Sequence, residues 1–187
     1  TPGASTLENH GDLKRIGNNS PRYRVGLNLD AAWKGIDFSI FFQGVLKRDW
    51  MFDAGDPYFW GAGSGMWQAA CFEEHMDYWT PENTDAYYPK PYFNETKNQQ
   101  AQDAYMQKAS YLRCKNIQLG YTLPTHITEK AGISNCRIYL SCDNLFTITG
   151  LSSVYDPEVF GSYDGYGTSG KTYPLQRTIS VGVNLNF

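Results

Sequence analysis

Nowhere does this 187-residue chain approach the roughly 18 consecutive apolar residues of a transmembrane helix, so helical membrane spans are excluded. Cysteine is scarce. Cys71, Cys114, Cys136 and Cys142 form no CxxC pair, and Cys136 and Cys142, on one extended run, are too far apart to bridge each other. They read as small apolar filler, with neither a disulfide framework nor a metal set. Charge of one sign is also lacking: 16 Lys and Arg against 19 Asp and Glu, net −3 and without long runs, leave no footprint for nucleic acid. His10 and His126 stand alone, and no serine or cysteine is arranged with a base as a nucleophile. Gly61-Ala62-Gly63-Ser64-Gly65 has no helix after it and reads as loop, not as a phosphate cradle. Thr1-Pro2-Gly3-Ala4 has nothing of a signal peptide and reads as the middle of a longer chain. No catalytic constellation and no cofactor site follow; the chain is not expected to be an enzyme.

What is present is alternation and aromatic side chains. Hydrophobic residues make up 41% of the chain, yet mean hydropathy is negative, so apolar and polar side chains are interleaved. Ile179, Val181, Val183, Leu185 and Phe187 share one parity, and Thr178, Ser180, Gly182, Asn184 and Asn186 the other. A strand sends successive side chains to opposite faces, so this run has one apolar and one small, polar face. Similar alternation predicts strands near 22–31, 36–48, 110–123, 136–149 and 176–187. Helix is expected only as a turn over 125–132 and a short stretch over 98–108.

The connections alternate in length. Short ones near 32–35 and 124–135 alternate with long ones near 1–21, 49–109 and 150–175. Outer-membrane barrels have short periplasmic turns and long extracellular loops, and strand parity assigns these segments to those sides consistently. Arg24, Asp30, Asp37, Gln43, Asn116, Gln118, Ser141 and Asn184 fall on the polar parity, which suits a wet interior. Arg113 and Lys115 break the pattern by sharing parity with Ile117, which calls for head-group depth or a bulge. Five strands do not close a barrel, since at least eight are needed and lipid tolerates no open edge. The expected fold class is therefore all-β, an antiparallel segment of a larger transmembrane β-barrel, or one whose copies assemble to close it.

Six motifs, in order, carry a family resemblance. The stretch Ser110-Tyr111-Leu112-Arg113-Cys114-Lys115-Asn116-Ile117-Gln118-Leu119-Gly120-Tyr121-Thr122-Leu123-Pro124 resembles the SYLRLKNIxLGYTLP signature of SusC/RagA-type TonB-dependent outer-membrane transporters. Arg137-Ile138-Tyr139-Leu140-Ser141 with Asp143-Asn144-Leu145-Phe146-Thr147, Tyr155-Asp156-Pro157-Glu158 and Tyr173-Pro174-Leu175-Gln176-Arg177-Thr178 are similar to later motifs of that family. So are Gly35-Ile36-Asp37-Phe38-Ser39-Ile40-Phe41-Phe42-Gln43-Gly44 and the Trp79-Thr80-Pro81-Glu82-Asn83 stretch with Tyr88-Pro89. The resemblance implies the C-terminal portion of a barrel of about 22 strands. It also implies oligosaccharide or peptide import with a SusD-like surface lipoprotein, in the outer membrane of a Gram-negative, Bacteroidetes-type cell. The family's plug and TonB-contacting segment, both N-terminal, have no counterpart in these residues. Phe187 resembles the terminal aromatic read by the barrel-assembly machinery; packing against lipid would equally account for it.

Candidate contact residues for cargo or for the lipoprotein are Trp50, Trp60, Trp67, Trp79, Tyr87 and Tyr88 of the long 49–109 loop, because amphipathic rings dominate interface energetics. The competing expectation is that these rings order the loop itself. Glu73, Glu74, His75 and Asp77 lack metal-ligand spacing, and Asp156-Pro157-Glu158 reads as a turn. The alternative to a transporter is a soluble, aromatic-rich β-sandwich that binds glycan; a surface adhesin is a third expectation.

Overall fold

The computed structural model describes residues 6, 8–11, 13–64, 70–92, 96–160 and 172–187. They divide into two compact units, one built around residues 49–107 with the leading segment, the other from residues 21–48, 108–160 and 172–187. The strands are β1 (Arg24–Trp33), β2 (Ile36–Val45), β3 (Asp49–Trp50), β4 (Gln107–Thr122), β5 (Asn135–Asp143), β6 (Thr147–Gly150) and β7 (Thr178–Asn186). Among the described residues helix is confined to α1 (Thr125–Thr128) and single 3-10 turns. No helix among the described residues is long and apolar enough to cross a membrane, which leaves crossing by strands open.

In the second unit β1, β2, β4, β5 and β7 form an antiparallel sheet in that order, with β6 alongside the first half of β4. The hairpin between β1 and β2 is tighter than expected. Lys34 and Gly35 both take positive φ, +48° and +84°, the two-residue turn that matches strand twist, so β1 runs on to Trp33. A Cβ at Gly35 would stand 2.9 Å from the Thr122 carbonyl oxygen, so no other residue fits there without displacement.

Register turns the alternation into two continuous faces. Leu29 pairs with Ile40, Ile40 with Ile117, and Ile117 with Cys142, which pairs with Ile179. On the opposite face Asp30 pairs with Ser39, Ser39 with Gln118, Gln118 with Ser141 and Ser141 with Ser180. β1, β2, β5 and β7 hold 10, 10, 9 and 9 residues, close to the roughly 9–11 that carry a tilted strand across a bilayer.

The expected single strand over 136–149 is two. Between β5 and β6, Asn144 adopts a left-handed φ of +52°, opposite a break in register where Lys115 of β4 has no partner on β2. The bulge and the kink are one irregularity seen from two strands. The helix expected over 98–108 is a 3-10 turn, Asp103–Tyr105, after which β4 has already begun at Gln107, because the alternation of β4 overrides the weak local propensity. All four cysteines are free thiols, with Cys114 and Cys142 buried.

The apolar face is not covered by a second layer among the described residues. Leu29 is 50% exposed, Leu140 49% and Val181 75%. A soluble sandwich would bury these residues between its sheets, so that expectation is overturned. Cys114 and Cys142 are buried on this face, and Val45, Ala109, Tyr111, Leu151, Tyr155 and Phe160 are further buried apolar residues of the unit.

Candidate functional site

The polar face is built from side chains that lie flat across the strands. Arg137 of β5 donates through Nε to Asp37 Oδ1 of β2 at 2.9 Å, and through Nη2 to Asp37 Oδ2 and, at 2.9 Å, to Gln118 Oε1. That ion pair spans β4, about 10 Å from strand to strand. It forms because Gly120 lies beneath: a Cβ there would stand 2.5 Å from both Arg137 Nη2 and Asp37 Oδ1. Tyr139 repeats the device over Gly182 of β7, whose Cβ would fall 2.3 Å from the ring, and the Arg137 guanidinium lies 5.0 Å from the Tyr139 ring centre. Two glycines therefore let a cation, a carboxylate and a phenol tile this face without protruding.

The bulge at Lys115 sets what the upper half of β4 presents. Past it Arg113 pairs with Gln43 and so joins the polar face, while Cys114 pairs with Phe42 on the apolar one. This resolves the parity conflict of Arg113 in favour of a bulge. Arg113, 4% exposed, is anchored by Asp156 at 2.9 Å, Glu158 at 3.4 Å and, through Nε, by Thr147 Oγ1 at 2.7 Å. Lys115 Nζ reaches the same Glu158 oxygen at 2.9 Å. Asp156 Oδ1 also accepts from the Glu158 amide at 2.9 Å, and Oδ2 from that of Leu175 at 3.0 Å. The Tyr155-Asp156-Pro157-Glu158 segment is thus a clamp closed on β4 by two cations and two carboxylates. Periodicity alone does not expose it, since it depends on the register break.

In the first unit the aromatic candidates separate by burial. Trp60 and Tyr88 are 5% and 6% exposed and share a cluster with Phe52, Phe59 and Tyr105. Phe52 stacks on Phe59 at 4.6 Å, and Trp60 meets Phe59 and Tyr105 edge-on at 4.8 Å each. Asp56 accepts from the Tyr58 and Phe59 amides through Oδ1, and Trp60 Nε1 donates to the Asp53 carbonyl. Buried Gln99 ties Gly55 to Gly63, and Gly61 takes a left-handed φ of +54° where His75 leaves no room for a Cβ. Burial of the phenol pushes the Tyr88 pKa far above its ordinary range, with the charge of Glu74 adding to it. Trp60 and Tyr88, expected as contact residues, are thus buried in this cluster, where their rings order the loop.

Trp79 and Tyr87, by contrast, keep 39% and 38% of their surface exposed. Thr80 Oγ1 accepts from the Glu82 and Asn83 amides, and Asp77 from the Tyr87 amide and the Asn83 side chain, so a hydrogen-bonded turn presents Trp79. Tyr87 Oη accepts from Gln107 at 2.6 Å, and burial of part of its ring, opposed by that bond, raises its pKa. Trp50 is half-buried, and Trp67 lies outside the described residues. Asp77 is thus committed to the turn and His75 Nδ1 to the Phe72 amide, so the acidic stretch does not converge on a metal, and no such cluster occurs among the described residues. Phe187 follows β7 and is 87% exposed.

No protein-family model matches the chain. Two curated proteins of Formosa agariphila do, TonB-dependent receptor P3 at 30% identity over 94% of this chain and TonB-dependent receptor P26 at 27% over 94%. Among solved structures, the RagAB peptide importer in its open-open state aligns over 90% of the chain with a TM-score of 0.65 at 28% identity. The RagAB peptide transporter aligns over 87% with a TM-score of 0.62 at 30% identity. Over nearly its whole length the chain is similar to TonB-dependent receptors and to RagAB. It spans 17% and 18% of the length of the two curated receptors it matches and 17% of each of these RagAB chains. The fold it shares with these receptors is mostly antiparallel sheet with little helix. TonB-dependent receptors are not enzymes.

Proposed function

We propose that this chain supplies part of the wall, and one long external loop, of an outer-membrane barrel of about 22 strands that imports nutrients. The observation that carries the reading is the uncovered apolar face backed by a polar one tiled with hydrogen-bonded side chains. Apolar residues half or more exposed to water are costly, at about 25 cal/mol for each Å². Acyl chains relieve that cost, while Asp37, Gln118, Arg137 and Ser141 face a wet lumen. Among the described residues the outer edges of β1 and β7 pair with no strand, which calls for further strands on either side, because lipid satisfies no backbone group. In this reading the 32–35 and 124–135 connections are periplasmic and the 1–21, 49–109 and 150–175 ones extracellular, in the outer membrane of a Bacteroidetes-type cell.

The cargo class is oligosaccharide or peptide; the similarity to a peptide importer supports the second. A SusD-like surface lipoprotein serves as lid, and Trp79 and Tyr87 are the rings offered to it or to cargo, with Trp50 and Trp67 as further candidates. Energy comes from TonB acting on parts of the receptor outside these residues, and Phe187 serves the barrel-assembly machinery as a recognition residue. The test is purification of the whole receptor from its own outer membrane, with uptake measured in cells with and without TonB. A co-purifying lipoprotein and TonB-dependent accumulation of oligomers are expected. A receptor that fractionates without detergent, alone and with no effect on uptake, would contradict the proposal.

A further inference from the structure

The same bulge that brings Arg113 to the polar face also brings Tyr111 there, in a row with Val45 and Arg24: Val45 pairs with Arg24 on β1 and with Tyr111 on β4. Over this row lies a cavity of about 170 Å³ lined by Arg24, Gln43, Arg48, Tyr111, Pro157 and Glu158. It is too small for a whole ligand, for which pockets hold roughly 300–1,000 Å³, and suits one group of a longer chain.

Its charge is one-sided. Glu158, the only acid in the lining, is already matched, because Asp156 and Glu158 answer Arg113 and Lys115 two for two. Arg24 is exposed and makes no ion pair among the described residues. Arg22, Arg24, Lys47 and Arg48 crowd the open end of the β1–β2 hairpin, where residues 22–29 and 38–48 contain no Asp or Glu. This is a local excess of cations in a chain whose net charge is −3. Arg48 is held in place: its amide donates to Ser110 Oγ at 3.3 Å, its carbonyl accepts from Ala109 at 2.9 Å, and its guanidinium lies 4.9 Å from the Phe160 ring centre. Arg24 and Arg48 line the same small cavity, so two like charges share one space and repel. An anion between them removes that repulsion. Guanidinium forks hold a carboxylate through paired N–H donors, and the Gln43 amide supplies a further donor beside them.

We infer that this cavity is a cargo subsite for a carboxylate, carried by an acidic residue of a peptide or by a uronate of a glycan, and that Arg24 and Arg48 hold it. The inference rests on the import reading and sharpens it to acidic cargo. The experiment measures uptake by the whole receptor in TonB-competent cells of four labelled probes: an acidic and a neutral heptapeptide, and a hexa-uronide and a neutral hexasaccharide. The wild-type receptor is expected to take up the acidic member of one pair about tenfold better than the neutral one, the effect of a single charge-assisted bond. Which pair shows the preference identifies the source. In Arg24→Gln/Arg48→Gln the preference is expected to fall to about one while neutral uptake is retained, which also shows that the variant folds. Arg22→Gln, which changes a cation outside the lining, is expected to keep it. Uptake without acidic preference, or a preference that survives the double substitution, overturns the subsite and leaves the importer standing. If no probe enters in a TonB-dependent manner, the import reading fails, and the subsite with it.

Discussion

Trp60 and Trp79 are indistinguishable as letters, both aromatic and both in a long loop, yet one is 5% and the other 39% exposed. The difference arises from neighbours that no pattern announces: Phe59 and Tyr105 enclose Trp60, while the Thr80–Asn83 turn lifts Trp79 outward. Truncation should separate them. Trp60→Ala is expected to cost about 3–5 kcal/mol in the loop unit, as deletion of a buried large ring does, and Trp79→Ala well under 1. Hydrogen exchange on the whole receptor checks this. Protection across residues 52–105 should drop in the first variant and persist in the second, where association with the proposed lipoprotein should weaken instead. Equal protection in both would contradict the assignment of Trp60 to the interior.

Strand β7 was legible in full because nothing interrupts its alternation from Thr178 to Asn186, and the same holds for the paired halves of β1 and β2. β4 with its partners was legible only to Asn116. A bulge belongs to a pair of strands, so the displacement of Arg113, the kink at Asn144 and the clamp on Asp156 and Glu158 exist only once register is known. The same reason hid the Asp37–Arg137 pair, whose members are 100 residues apart and meet over a glycine. Deletion of Lys115 tests the bulge as an element. Because the skipped residue is what sets Arg113 opposite Gln43, the deletion should give unbroken pairing with Arg113 still on the polar face and still bound to Asp156 and Glu158. Removing the cation instead strands two buried carboxylates, and breaking a buried pair costs about 3–5 kcal/mol. The deletion and Lys115→Gln should therefore both keep the folded, heat-modifiable form in the outer membrane, whereas Arg113→Ala should lose most of it. Loss of the folded form on deletion of Lys115, with Lys115→Gln unaffected, would contradict the role given to the bulge.

At the scale of the molecule two solvents are assigned to two faces. One face of the sheet runs from Leu29 through Ile40, Ile117 and Leu140 to Val181, and the other from Asp30 through Ser39, Gln118 and Ser141 to Ser180. The proposed transport depends on this division, since a lumen requires that water wet one side alone. Nitroxide spin labels placed one at a time along β7 of the whole receptor in lipid bilayers report it most directly, by the relaxation that dissolved oxygen and a water-soluble nickel chelate induce. Labels at Ile179, Val181 and Val183 should respond to oxygen and not to nickel, and labels at Thr178, Ser180 and Gly182 to nickel. Nickel access to both sets, or to neither, would contradict a wall between lipid and a wet pore.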